Sequence, residues 1–184
     1  GQWSELDFYL PTPSAEYWGD VESLRERLRR DGVASLPMAL ADAERDGDRI
    51  LGVIRGVGLS NDGRQSGILA PAASGQTAAM RDALAQAGLD PADVDYIDCH
   101  ATGTVSGAAS LVNVLSAMEA GTLPPSLCDT QTPALADTPF TLVTEPTRWD
   151  AAVKTAAVSN FGFGGNNAHL IVQNYVPAEQ QSPA

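Results

Sequence analysis

Two apolar runs near the end of the chain are joined by a loop rich in glycine and phenylalanine, and this pattern limits the folds available to the chain. The runs VKTAAVSN and AHLIVQNYV predict strands, so the loop NFGFGGNNAH leads into a strand rather than a helix. A phosphate-binding loop would need a lysine or a following helix N-terminus, so a dinucleotide or P-loop site is not favoured. Glycines and backbone N–H groups in a tight turn are typical of an oxyanion site, or of a bulge where two backbones cross.

The rest of the pattern predicts a layered α/β domain, in which strands and helices alternate early and strands cluster late. Residues 72–87 predict a helix that ends at Gly88, and DPADVDYIDC predicts a turn followed by a strand. Residues 107–121 are apolar nearly all round, which predicts a buried helix. Another strand is predicted at FTLVT.

Three segments are predicted along the chain. Residues 1–31 predict an extended arm and an amphipathic helix, residues 32–176 the main domain, and residues 177–184 a disordered tail. At the start of the main domain two apolar runs are joined by a predicted turn at AERDGD, and Pro37 makes the first run an edge strand or a broken one.

Composition argues against several classes of function. The 184 residues include 11 basic and 23 acidic side chains, for a formal net charge of −12, so binding to nucleic acid or to an anionic membrane surface is not expected. With no long apolar run and no leader pattern, we expect a cytoplasmic protein. The two cysteines lack the spacing of a metal site, so no metal is expected.

A second unusual loop, CHATGTVSG, follows an apolar strand and is headed by His100. Residues that follow strand ends in α/β sheets face a crevice, and small neighbours let a ligand approach the backbone. The hydroxyls of Thr102 and Thr104 can bind an amide-bearing ligand, and His100 can act as an acid, a base or an oxyanion donor. A lone histidine is more often structural, so this loop alone leaves both interpretations open.

Taken together, DVDYIDCHATGT and VSNFGFGGNNAHLIV resemble the C-terminal half of the β-ketoacyl synthases, the condensing enzymes of fatty-acid and polyketide assembly. The resemblance runs from about Leu36 to Val172. It implies a thiolase-like half-domain, in which a mixed sheet is packed by helices. His169 falls on the family's last strand, where it is not catalytic.

The resemblance also assigns chemistry to the two loops. It implies that His100 assists decarboxylation and stabilises a carbanion or oxyanion. The residues implied to line the path of the substrate arm are Thr102, Thr104, Phe163, Gly164 and Gly165. In the family the threonines hold the pantetheine arm, the phenylalanine is a gate, and the glycines lie beside the oxyanion site. No cofactor is implied beyond the phosphopantetheine arm of a carrier protein.

Departures from the family pattern bear on function. The nucleophilic cysteine of the family belongs to its N-terminal half, and neither Cys99 nor Cys128 matches it. The family also carries, after its histidine motif, a long segment with a lysine and a second catalytic histidine. Here HATGT runs directly into a helix, so that segment and a strand are expected to be missing. Ala101 also stands where glycine is usual.

We therefore expect an incomplete ketosynthase-like subunit that acts on thioesters of an acyl carrier protein. It would form a hetero-oligomer with a ketosynthase-like chain that supplies the cysteine-bearing half, using an open sheet edge and an open helix face as partner surfaces. Two alternatives remain: an enzyme of altered chemistry that uses His100 alone as acid or base, and a noncatalytic module that binds the carrier protein.

Overall fold

The structure, a computed structural model, describes residues 40–63, 72–99, 106–126, 133–162 and 164–177. The chain divides into two compact units, Gly1–Leu51 and Gly52–Ala184. The predicted arm, the amphipathic helix, the boundary at residue 31 and the tail from residue 178 onwards lie outside the described residues. None of the helices in the described ranges has the length and hydropathy of a membrane span.

The described part of the first unit contains one short helix, α1 (Leu40–Asp46), which ends in a turn at Gly47. The prediction of a turn over residues 43–48 is wrong for residues 43–46, because these residues continue the helix. Good helix formers dominate this segment, and Arg45 forms ion pairs with Asp42 and Asp46. The turn itself is at the Asp-Gly step, as the sequence predicts.

The second unit is built on a mixed four-stranded sheet with the strand order β1-β6-β5-β2. In chain order its elements are β1 (Val53–Asn61), α2 (Ala73–Ala87), β2 (Tyr96–Asp98), α3 (Ser106–Ala120), β3 (Thr122–Leu123), β4 (Thr147–Arg148), β5 (Thr155–Phe161) and β6 (Asn166–Gln173). Strand β6 is antiparallel to both of its neighbours, and β2 is parallel to β5. Short β3 and β4 form a separate antiparallel pair.

Helices cover both faces of this sheet, which confirms the predicted layered α/β fold. One core cluster lies between α3, Trp149 and the sheet; its buried members are Val114, Ala117, Met118, Trp149, Ala156, Val158 and Val172. The second cluster lies under α2 and contains Ala83, Ala87, Ala157 and Ile171. Because successive residues of β5 face opposite clusters, its run Ala156–Val158 is apolar without alternation, as expected for a strand buried on both faces.

Helix α2 lies unusually close to β1 because two glycines in that strand leave no side chain between them. A Cβ atom added at Gly56 would lie 2.0 Å from the carbonyl oxygen of Ala83, and one at Gly58 would lie 1.7 Å from that of Ala79. Both alanines are completely buried. The helix ends at Gly88 in the left-handed conformation, with φ of 67°, which confirms the predicted C-cap.

Two other predictions need correction. FTLVT forms no strand; its described contact with the rest of the unit is the Val143 carbonyl, which accepts from Ser126 N at 2.7 Å. Helix α3 is present as predicted but is not buried all round, because Val112 is 62% exposed. The side of α3 that carries Val112 is not covered by any described residue.

His169 is buried in β6, where its Nδ1 lies 2.9 Å from the hydroxyl of Ser159 on the adjacent strand. Burial lowers the pKa of this imidazole from its ordinary value of 6.5. The residue therefore packs as a neutral ring inside the sheet, in agreement with its predicted structural role.

The free energy of unfolding of the second unit is expected to decrease as the pH is lowered below about 6.5. Above that pH the His169 ring is neutral in both the folded and the unfolded chain; below it, the unfolded chain binds a proton that the folded chain excludes. The loss for one group is at most about 1.4 kcal/mol per pH unit. Urea unfolding at several pH values between about 7.5 and 5.5 measures it, and His169→Asn should flatten the profile. Identical profiles for both proteins would contradict the prediction.

Candidate functional site

Three strands end at the same carboxyl-terminal edge of the sheet, the edge that runs across the strands rather than along an outer strand. Strands β2 and β5 run parallel with Asp98 opposite Val158, and Asn61 at the end of β1 pairs with Asn166 at the start of β6. The carboxyl ends of β1, β2 and β5 therefore share one edge. In α/β sheets this is the edge at which ligands bind, so we take it as the candidate site.

The glycine-rich turn that joins β5 to β6 lies on this edge. Gly162 N donates to Asn166 O at 2.7 Å, and Gly165 N donates to Gly162 O at 3.2 Å. Gly164 and Gly165 have φ values of 86° and 77°, a conformation that residues with a Cβ rarely adopt. These two predicted site residues therefore form a tight, hydrogen-bonded hairpin turn, as the sequence pattern indicates.

The end of β1 holds the turn in place. The backbone N of Asp62 donates to Gly165 O at 2.8 Å, and the side-chain amide of Asn61 donates to Gly164 O at 3.4 Å. The carboxylate of Asp62 in turn accepts from the Asn167 amide at 2.6 Å. The sequence pattern alone did not predict a role for these residues. The signal that points to them is a set of polar, turn-forming side chains directly after a strand, in SNDG, and directly after the glycines, in NNAH.

Four of the predicted site residues, at positions 100, 102, 104 and 163, lie outside the described residues, and their roles stay predictions. Cys99, the residue before His100, directly follows β2 and so lies on the edge that carries the turn. The carboxylate of Asp98 accepts from the Asn113 amide at 3.2 Å, which ties the end of β2 to α3.

Cys99 is exposed but is a poor nucleophile. Partial burial of its thiol raises its pKa, and the nearby Asp98 carboxylate raises it further. A raised pKa leaves the sulfur as a thiol at neutral pH, whereas the thiolate is the reactive form. This agrees with the sequence-based view that Cys99 does not correspond to the nucleophile of the condensing enzymes.

Comparison with solved structures defines the class of protein. The ketosynthase domain of the oxazolomycin synthase from Streptomyces albus superimposes with a TM-score of 0.71 at 31% identity, covering 79% of this chain and 34% of that one. A ketosynthase from the bacillaene synthase of Bacillus subtilis gives a TM-score of 0.70 at 29% identity, with 76% and 33% covered. The second unit thus has the thiolase-like fold of ketosynthase domains, of which it forms one part.

Sequence comparison identifies the family within this class of protein. Residues 51–107 match the family described as beta-ketoacyl synthase, C-terminal domain, and residues 129–184 match the ketoacyl-synthetase C-terminal extension. Similar proteins include a highly reducing polyketide synthase of Phaeosphaeria nodorum, 36% identical over 98% of this chain, and a phenolphthiocerol/phthiocerol polyketide synthase subunit of Mycobacterium tuberculosis, 32% identical over 79%. The chain carries the C-terminal part of a β-ketoacyl synthase.

These relatives are much longer than the matched region. The chain spans 7% of the Phaeosphaeria synthase and 10% of the mycobacterial subunit. The mycobacterial alignment extends over 197 residues yet includes 79% of this chain, about 145 of its 184 residues. About fifty positions of that alignment therefore have no counterpart in this chain.

Proposed function

We propose that this chain supplies the C-terminal half of a ketosynthase site that acts on carrier-bound acyl thioesters in polyketide assembly. The observation that carries the proposal is the shared sheet edge. The glycine turn of Gly164 and Gly165 and the end of β2, from which the chain continues to His100, both lie there. In the sequence a motif histidine directly follows the end of β2, and such a side chain together with the backbone of a glycine turn suits the stabilisation of an oxyanion or carbanion.

Within this proposal the two loops have different roles. His100 hydrogen-bonds the thioester carbonyl as the extender unit loses carbon dioxide, so that negative charge develops on an oxygen that the histidine stabilises. Thr102 and Thr104 bind the amides of the pantetheine arm, and Phe163 gates the entry beside the turn. These roles rest on the family resemblance of HATGT and NFGFGG.

Condensation also needs groups that this sequence lacks. The match to the C-terminal domain ends at residue 107, directly after the His100 motif, and about fifty positions of the mycobacterial relative are unmatched. Both observations support the loss of the segment with the second histidine. Because Cys99 does not match the nucleophile, we propose that a cysteine-bearing ketosynthase half, in the same polypeptide or on a partner chain, completes the site.

Two surfaces of the second unit suit such a complement. Strand β2 is the last strand on its side of the sheet among the described residues. Helix α3 carries an exposed strip of small and apolar side chains, whose members are Ala109, Val112 and Ser116. Exposed strips of this kind mark protein interfaces, and we propose that α3 packs against the cysteine-bearing half.

A charge on this strip is expected to block assembly without unfolding the chain. Val112→Glu should weaken binding to the cysteine-bearing half encoded in the same genome by at least about tenfold, because the carboxylate would be buried unpaired at the interface. Val153→Glu is the matched control, since Val153 is 50% exposed but lies just before β5 rather than on α3. Mass-resolved gel filtration of the mixed halves measures binding. Equal binding by both variants would remove α3 from the interface.

Loss of the His100 side chain is expected to abolish chemistry while leaving assembly intact. In the assembled protein, His100→Ala should slow carbon dioxide release from a malonyl thioester of a carrier protein by about a hundredfold or more. The readout is carbon dioxide release, with the urea unfolding midpoint as the control for folding. Unchanged turnover would contradict the catalytic role. A noncatalytic binding module would give a different result. Thr102→Val and Thr104→Val would then abolish binding of the carrier protein, and neither the wild type nor any variant would show turnover.

A further inference from the structure

Asp62 connects three separate segments of the second unit. Its backbone N donates to Gly165 O at 2.8 Å, and its Oδ1 accepts from Asn167 Nδ2 at 2.6 Å. Its Oδ2 accepts from the backbone N of Ala72 at 3.0 Å. Helix α2 has no capping side chain of its own at Ala72, so this carboxylate supplies a partner for one of the helix's unpaired N–H groups.

Asn167 occupies the centre of these contacts. It is 3% exposed, and its Nδ2 also lies 3.2 Å from Ser60 Oγ and 3.4 Å from Gly165 O. The Ser60 hydroxyl donates onward to the carbonyl of Gly75 at 2.6 Å. Space here is tight, since a Cβ at Gly75 would lie 2.1 Å from Asp62 Oδ1. Small residues thus allow the polar side chains to reach the turn.

These contacts fix how the peptide groups of the turn are oriented. In a planar trans peptide, the carbonyl and the following N–H point in opposite directions. Asn61 and Asp62 draw the carbonyls of Gly164 and Gly165 toward β1, so the N–H groups of Gly165 and Asn166 that follow them point away from it, and Gly165 N donates to Gly162 O within the turn. Glycine adopts many conformations, and external hydrogen bonds of this kind select one of them.

We infer that Asp62 and Asn167 are positioning residues for the glycine-rich turn, whose peptide groups they hold in one orientation. The inference rests on the proposed function only where it assigns the turn to thioester binding; the hydrogen-bonded contacts stand without it. The contact between the Asp62 carboxylate and the Asn167 amide is the link, since it joins the end of β1 to the residue next to the turn.

Asp62→Asn tests this link with little change of shape. The new side-chain amide has one oxygen, which can accept from Ala72 N. Its NH₂ group then faces the NH₂ group of Asn167, and two donors cannot bond to each other, so one of the two hydrogen bonds of the carboxylate is lost. Asp95→Asn is the control for loss of the charge: the Asp95 carboxylate also accepts from two donors, Trp149 Nε1 and Thr155 N, but both through Oδ2, so an amide oxygen can keep both hydrogen bonds, and it lies at the opposite end of the sheet. Loss of the carboxylate charge alone would affect both variants alike.

Hydrogen exchange of the Gly162 and Gly165 amides, followed by NMR in the full chain, is the deciding measurement. Asp62→Asn should speed their exchange at least about tenfold more than Asp95→Asn does, as expected when a charge-assisted hydrogen bond is lost. The double variant D62N/N167D restores a donor and an acceptor and should recover part of the protection. Ser60→Ala should act in the same direction but more weakly. Equal exchange in Asp62→Asn and Asp95→Asn would overturn the inference.

A second measurement separates this inference from the proposed function. In the assembled protein, Asp62→Asn should lower kcat at least about tenfold with little change in the KM for the thioester, because the turn is misplaced while the arm still binds. An assembled wild type that shows no turnover would refute the proposed function alone, and the exchange of the glycine amides would still decide whether Asp62 positions the turn.

Discussion

Replacing Gly58 by alanine is expected to destabilise the second unit by about 3 kcal/mol or more, at the upper end of the cost of inserting atoms into a packed core. The added Cβ would lie 1.7 Å from the Ala79 carbonyl oxygen and 2.8 Å from the backbone N of Ala83. These are backbone atoms of α2, so no side chain can rotate to make room. The helix must move off the strand, which opens the core cluster under α2.

Gly162→Ala is the matched control for this substitution. Its added Cβ would meet nothing closer than Asn166 O at 3.6 Å, an ordinary contact. Urea unfolding followed by tryptophan fluorescence, to which buried Trp149 contributes, measures both variants against the wild type. A free energy of unfolding for Gly58→Ala within about 0.5 kcal/mol of that for Gly162→Ala, the usual range for surface changes, would show that α2 is not so closely packed on β1.

The second large effect is expected in the turn, where two neighbouring glycines should respond differently. Gly164→Ala meets no atom within 4 Å and carries only the strain of φ at 86°, about 1 to 2 kcal/mol. Gly165→Ala carries similar strain at φ of 77° and also places its Cβ 2.9 Å from that of Asp62. We expect Gly165→Ala to cost at least about 1 kcal/mol more, because Asp62 must shift and its hydrogen bonds lengthen.

Chemical denaturation and carbon dioxide release measure the two turn variants together. In the assembled protein, Gly165→Ala should reduce turnover more than Gly164→Ala does, in the same order as the losses of stability. Equal losses of stability and turnover for the two substitutions would mean that only the backbone conformation matters at the turn. The contact between Gly165 and Asp62 would then have no effect on either quantity.

Much of the fold was predictable because local patterns and tertiary packing agree. Strands β5 and β6 are apolar enough to be recognised alone, and α2 carries its own stop signal at Gly88. FTLVT failed because apolar, β-branched residues favour a strand only where another strand is available to pair with. The burial of α3 was overestimated because apolar content cannot show whether a neighbouring element covers the helix.

The candidate site was predictable only where conformation depends on residue type. Gly164 and Gly165 were found because glycine tolerates the left-handed turn that the structure contains. Asp62 and Asn167 were missed because they are 105 positions apart, and only the register of β1 against β6 brings them together. No periodicity in a single sequence encodes that register.

The order of strands in the sheet also constrains synthesis of the protein. Among the described residues, β1 pairs with β6 and with no other strand, and β6 is the last of the strands in chain order. On the ribosome, β1 must therefore wait for its strand partner until residues up to Gln173 have left the exit tunnel, although α2 can pack on it earlier. Pairings between distant segments form slowly, and this delay gives chaperones a long interval in which to bind the nascent chain.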